Sequence, residues 1–132
     1  MKIETAKLVD GQLDWAVSQA AGMDVGMGGM YISRNSYLNV LYCAKGLDFS
    51  GTEYVFNPST SWALGGPIIK QEGIEIVLQD EDWDIWWASG GRCMQSELYK
   101  EAGCYGPDPL IAAMRCYVEM KLGKEVDIPQ EI

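Results

Sequence analysis

The stretch GPDPLIAAMRCYVEMKLG, residues 106–123, constrains the fold more than any other part of the chain. Asp108 is a good N-cap, Pro109 suits the first helical turn and Gly123 suits a C-terminal stop. Between them Leu110, Ile111, Met114, Tyr117, Val118 and Leu122 recur at helical spacing and form one apolar stripe. A helix of this kind needs a sheet or another helix to cover its stripe. Arg115 borders the stripe, where its head group can reach a carboxylate or a ligand anion at a sheet edge, or serve as a surface ion-pair partner.

The sheet is predicted just upstream. IEIVLQ (74–79) alternates Ile74, Ile76 and Leu78 against Glu75, Val77 and Gln79, and the acidic run 80–82 turns the chain into WDIWWA. The pattern predicts an antiparallel hairpin with one apolar and one mixed face. Trp83, Ile85 and Trp87 then share the core face, and Trp86 falls with Asp84 on the mixed face. An indole on that side is either covered by a second subunit or left for a ligand.

Elsewhere the signals are shorter. QLDWAVSQAAG (12–22) reads as a helix stopped by Gly22, with Leu13, Ala16, Val17, Ala20 and Ala21 inward and Trp15 on the other side, as a clamp under a loop or a ligand contact. GMDVGMGGM (22–30) is a glycine-rich connector without the features of a phosphate-binding loop. YISRNSYLNVLYC (31–43) predicts one or two strands and TEYVF another. Pro67 to Glu72 predicts a short helix closed by Gly73, which would set Gly65 and Gly66 at its N-terminus with amides open to a ligand, or in a tight turn packed by Trp62. Residues 89–106 are polar and irregular, and Gly90-Gly91-Arg92 fits a small anion nest or a plain turn. The tail KEVDIPQEI is expected along the surface. This order predicts an α+β class with helices on one face of a small antiparallel sheet, residues 1–132 forming one domain.

Composition narrows the chemistry. The chain has no histidine, and Cys43, Cys93, Cys104 and Cys116 form no CxxC pair, so neither a zinc site nor a Cys–His or Ser–His nucleophile is expected. Paired acids such as Asp82 and Asp84 read as a solvated turn, and no enzyme activity, metal or cofactor is expected. Nineteen acids against ten bases give a net charge of −9, and only Arg34, Arg92 and Arg115 are arginines. Such a field repels phosphate backbones, so direct DNA or RNA binding is not expected. MKIETAKLVDGQ lacks the apolar stretch of a secretory signal and no apolar run reaches membrane-spanning length, which predicts a cytoplasmic chain with free thiols and no membrane contact.

Three stretches, LDWAV, STSWALGGPIIKQEGI and GPDPLIAAMRCYVEMKLGKEVDIP, resemble the NinX-like family of small bacteriophage proteins, in the same order and over most of the chain. No family pattern covers the segment from about Met23 to Tyr54, nor 89–105. The resemblance implies a phage accessory protein in the host cell without assigning a reaction. Small non-enzymatic phage proteins of other families capture nucleotide signals of bacterial immunity. By analogy the surplus tryptophans suggest a binder of a nucleotide-like small molecule, with Trp62 and Trp86 stacking on the base and Gly65, Gly66, Arg92 and Arg115 taking the phosphates. The alternative is an acidic inhibitor of a host defence protein, conceivably a DNA mimic, with the tryptophans as interface anchors. A homo-oligomer is expected under either reading.

Overall fold

The computed structural model of the protein describes residues 1–22, 24–25, 30–32, 41–43, 56–90 and 103–129. At its centre lies helix α3, Pro109–Leu122, started as the sequence predicts: Asp108 accepts a 2.8 Å bond from the Ile111 amide and Pro109 follows. Residues 112–118 are all buried, so α3 is enclosed on nearly every side and not along one stripe alone. Leu122, placed in the stripe by periodicity, lies beyond this enclosure and is exposed.

Helix α3 packs on the sheet formed by β5 (Ile74–Asp80), β6 (Ile85–Gly90) and β7 (Gly103–Gly106), an antiparallel meander in that order. Helix α1 (Asp10–Ala20) packs against α3 and gives it Leu13, Ala16 and Val17; Trp15 is half-buried against the same core. The sheet with helices on one face makes the class α+β. Two smaller antiparallel groups complete it: β2 (Asp24–Val25), β3 (Met30–Ile32) and β4 (Leu41–Cys43) pair in sequence order, and β1 (Lys2–Glu4) pairs with β8 (Glu125–Asp127). Strand β8 corrects the expectation of a surface tail: Val126 and Ile128 are buried, and Thr5 ties the ribbon to the end of α3 by a 2.6 Å bond from its hydroxyl to the Gly123 carbonyl. Strand β7 is likewise a correction, because its four residues carry no alternation that local reading can find.

Two further corrections bear on the site. Helix α2 runs Trp62–Glu72, not Pro67–Glu72. The turn at 57–61 sets its start, with the Leu64 and Gly65 amides both donating to the Ser61 carbonyl, and Pro67 sits inside the helix, where its missing N–H removes one rung. The second correction is the face of the hairpin. Asp80 pairs with Ile85, a register that would set Trp87 opposite Leu78 on the apolar side. A bulge between Leu78 and Asp80 shifts the pairing by one, so that Leu78 meets Trp86 and Val77 meets Trp87. A shift of one residue exchanges the faces. Trp86 therefore joins Ala88 on the side of α3, and Trp87 joins Ile85 on the outer side.

Candidate functional site

The exchange builds a cleft on the outer side of the sheet. Val77, Trp87 and Tyr105 stand in one cross-strand row. The Trp87 and Tyr105 rings lie with centroids 4.5 Å apart and planes tilted by 53°. A Cβ built on Gly103 would overlap the benzo ring of Trp87, so glycine at that position is what lets the indole lie over β7.

Trp83 closes the cleft at the hairpin tip. Its turn is held by the Asp80 carboxylate, which accepts bonds of 3.0 Å from the Asp82 amide and 3.3 Å from the Trp83 amide. Asp84 completes the turn at φ 52°, the left-handed region that aspartate tolerates better than most residues. This framework leaves the Trp83 side chain 77% exposed, a large apolar surface with no packing explanation.

The polar element is Arg115, which α3 sends to the edge of β7 away from β6. Its Nε donates to the Leu8 carbonyl and its Nη1 to the Tyr105 carbonyl, both at 2.9 Å. A guanidinium has five N–H donors, of which these bonds use two among the described residues. Burial draws its pKa below the ordinary value, against the opposing pull of Cys104 and Asp108, yet arginine stays protonated throughout the accessible range. Together Trp83, Ile85, Trp87, Tyr105, Pro107 and Arg115, with Gln79 and Asp80 at the rim, line a cleft of about 730 Å³. That volume lies within the usual range for small-molecule sites. Aromatic faces with one fixed cation suit a planar guest carrying an anionic or acceptor group.

The residues singled out in the sequence are spread over three places. Arg115 lies in the cleft, as the apolar stripe allows. Trp86 does not: it is half-buried against the core, and its Nε1 donates to Asp84 Oδ1 at 2.8 Å, so the indole polar group is satisfied within the hairpin. Trp62 is 54% exposed and lines a separate groove of about 350 Å³ with Ser59, Thr60, Asp108, Pro109 and Leu110. Gly65 and Gly66 lie within α2 and present no open N-terminal turn: the Gly65 amide is bonded to Ser61. A Cβ at Gly65 would stand 2.7 Å from the Pro58 carbonyl oxygen, so this glycine serves close packing of α2. Arg92 and the Gly91 part of the proposed nest lie outside the described residues.

Sequence reading missed Trp83, Trp87 and Tyr105. Alternation alone sets the first two indoles on the core face, and the cue against it is the acidic turn, whose Asp80 cap accompanies a bulge. Tyr105 carried no local cue. Below the cleft floor, Cys104 donates from Sγ to Glu119 Oε2 at 2.9 Å, and burial together with that carboxylate holds its pKa far above the ordinary thiol range. Cys116 is pushed up to about 12, first by burial and then by Glu119. Neither thiol is poised as a nucleophile.

The family model described as "Bacteriophage P22, NinX" matches residues 4–121. No curated protein matches the chain. No helix among the described residues is long and apolar enough to cross a membrane.

Proposed function

The chain belongs to the bacteriophage P22 NinX family, and from that premise we propose that it is a phage accessory protein that captures a planar, anionic small molecule of nucleotide type and holds it without transforming it. The observation that carries this reading is the cleft that Trp83, Trp87 and Tyr105 line together with a guanidinium fixed by two backbone carbonyls. Stacking a base on an exposed aromatic contributes ~1–3 kcal/mol. A charge-assisted bond from Arg115 to a phosphate or ring carbonyl adds orientation, because the donors are already placed. The net charge of −9 opposes an anion at long range, but salt at physiological strength screens charges beyond about 8 Å. Capture of a bacterial immune signal in the cytoplasm of the infected cell, and so counter-defence, is the use to which such a binder is suited.

Calorimetric titration with cyclic dinucleotides and cyclic ADP-ribose isomers tests the reading, with mass spectrometry of the ligand recovered after denaturation. Saturable binding, weakened about tenfold or more in Trp83→Ala, with the ligand returned unaltered is the expected result. Absence of heat across the whole panel rejects a nucleotide-type guest, and a chemically altered product rejects passive capture.

One observation favours a second reading. Exposed Glu81, Asp82 and Asp84 surround exposed Trp83 at the hairpin tip, an anchor with an acidic rim that fits a basic patch on a host defence protein. A stoichiometric host protein retained by the wild type from infected cells, and lost with Trp83→Ala, selects this reading over the first.

A further inference from the structure

Strand β5 is an edge of the main sheet, and among the described residues β6 is the only strand paired with it. Glu75, Val77, Leu78 and Gln79 are all exposed, Val77 by 52% and Leu78 by 42%. Edge strands are normally protected by lysine, proline, a bulge or a covering element, because their free N–H and C=O groups invite another strand. The seven residues IEIVLQD contain neither lysine nor proline, and Glu75 is the one exposed charge among them. The bulge lies beyond Leu78, at the turn end, and leaves 74–78 as regular strand.

The strand also matches itself. Reversed about Val77, Ile76 faces Leu78 with Val77 on the axis, and Glu75 and Ile74 fall against Gln79 and Asp80 at the bulged end. Apolar meets apolar at the centre, and no two like charges are opposed. Centring on Leu78 instead would set Val77 against Gln79 and Ile76 against Asp80, and centring on Ile76 would set Val77 against Glu75. An isologous contact requires this kind of self-complementarity.

We propose that β5 pairs antiparallel with β5 of a second copy of this chain, about a twofold axis at Val77, to give one six-stranded sheet. The cross-strand row of Tyr105, Trp87 and Val77 then continues into its symmetry mate, and the apolar surface of Val77 is covered on both copies. The centre of this pairing lies off the cleft, because neither Val77 nor Leu78 lines it, while Gln79 and Asp80 at the strand's turn end border both.

Light scattering of the full-length protein in the micromolar range tests it together with two variants. The wild type is expected at twice the monomer mass. Val77→Lys, which sets two ammonium groups directly opposite each other, is expected as a monomer with an unchanged circular dichroism spectrum. Val77→Cys reads the register itself: on mild oxidation it is expected to give a disulfide-linked dimer that neither the wild type nor Glu75→Cys gives. Residue 75 faces 79 of the other copy, which leaves the two 75 positions about 13 Å apart along the strands, too far to bridge. A monomeric wild type overturns the proposal, whether or not the strand then captures a different protein. So does a Val77→Lys protein that remains dimeric, or cross-linking of Glu75→Cys as complete as that of Val77→Cys.

Discussion

The benzo ring of Trp87 lies against the bare Cα of Gly103, on the neighbouring strand and the same face of the sheet. The contact leaves room for the indole to meet Tyr105, with the two planes tilted by 53°. In Gly103→Ala the added methyl meets the far end of a side chain that can swing away, so the fold survives while the ring moves. Near-UV circular dichroism is expected to lose the Trp87–Tyr105 signal, with a loss of about 1 kcal/mol in urea unfolding. An unchanged near-UV spectrum contradicts this account of the cleft.

Gly106→Ala is the contrasting case on the opposite face. Its Cβ would stand 2.6 Å from the Ala112 amide nitrogen, and neither the strand nor α3 can yield there without separating. A loss of about 3 kcal/mol is expected, visible as a lowered urea midpoint, and a smaller effect than that of Gly103→Ala contradicts close docking of β7 on α3.

Arg115 joins the Leu8 carbonyl to the Tyr105 carbonyl and is only 8% exposed. Replacing it by methionine keeps the length but strands both acceptors, so a loss of about 3 kcal/mol is expected in denaturant titration. Arg115→Lys keeps the charge yet cannot span two carbonyls with a planar fork, and is expected between methionine and wild type.

Alkaline pH offers a test of the buried thiols. Cys116 has its pKa raised from 9.0 to about 12 in the folded chain, so the folded state retains a proton that the unfolded state releases. Its contribution is therefore complete below pH 9 and is lost as pH rises toward 12, at up to about 1.4 kcal/mol per pH unit. Chemical denaturation of the wild type and Cys116→Ala at matched pH values is expected to show a steeper alkaline decline for the wild type. Parallel declines refute a perturbed thiol.

Trp83→Ala separates function from stability. A side chain exposed to 77% contributes little to the fold, so thermal unfolding is expected to stay within about 0.5 kcal/mol of wild type. Removal of its stacking surface is expected to weaken ligand binding about tenfold or more in calorimetry. Comparable losses of both quantities reject the hairpin tip as a binding element.

The helices and the central hairpin were legible because caps, glycine stops and apolar spacing are local properties. Asp108, Pro109 and Gly123 bounded α3 correctly. The diglycine misled because Pro67 is compatible with either a first turn or an interior position, and the choice is made by the Ser61 carbonyl, which the 57–61 turn presents. Alternation in WDIWW showed that Trp86 and Trp87 oppose each other, but not which one faces α3: a single bulged residue decides that, and bulges have no strict sequence signature. Strands β7 and β8 depend on partners far along the chain and leave almost no local trace. The cleft inherits both difficulties. Arg115 was marked by its place beside the apolar stripe, whereas Trp87 and Tyr105 become a site only through register.

The β1–β8 ribbon joins residues 2–4 to residues 125–127. Closing a loop of that length carries an entropic penalty no local contact repays, so this pairing is set to form after α3 has docked on the sheet. A polypeptide emerging from the ribosome carries its first strand unpaired until almost all of this sequence has been synthesised, and that strand's amides should be among the earliest to exchange with deuterium when the native protein opens.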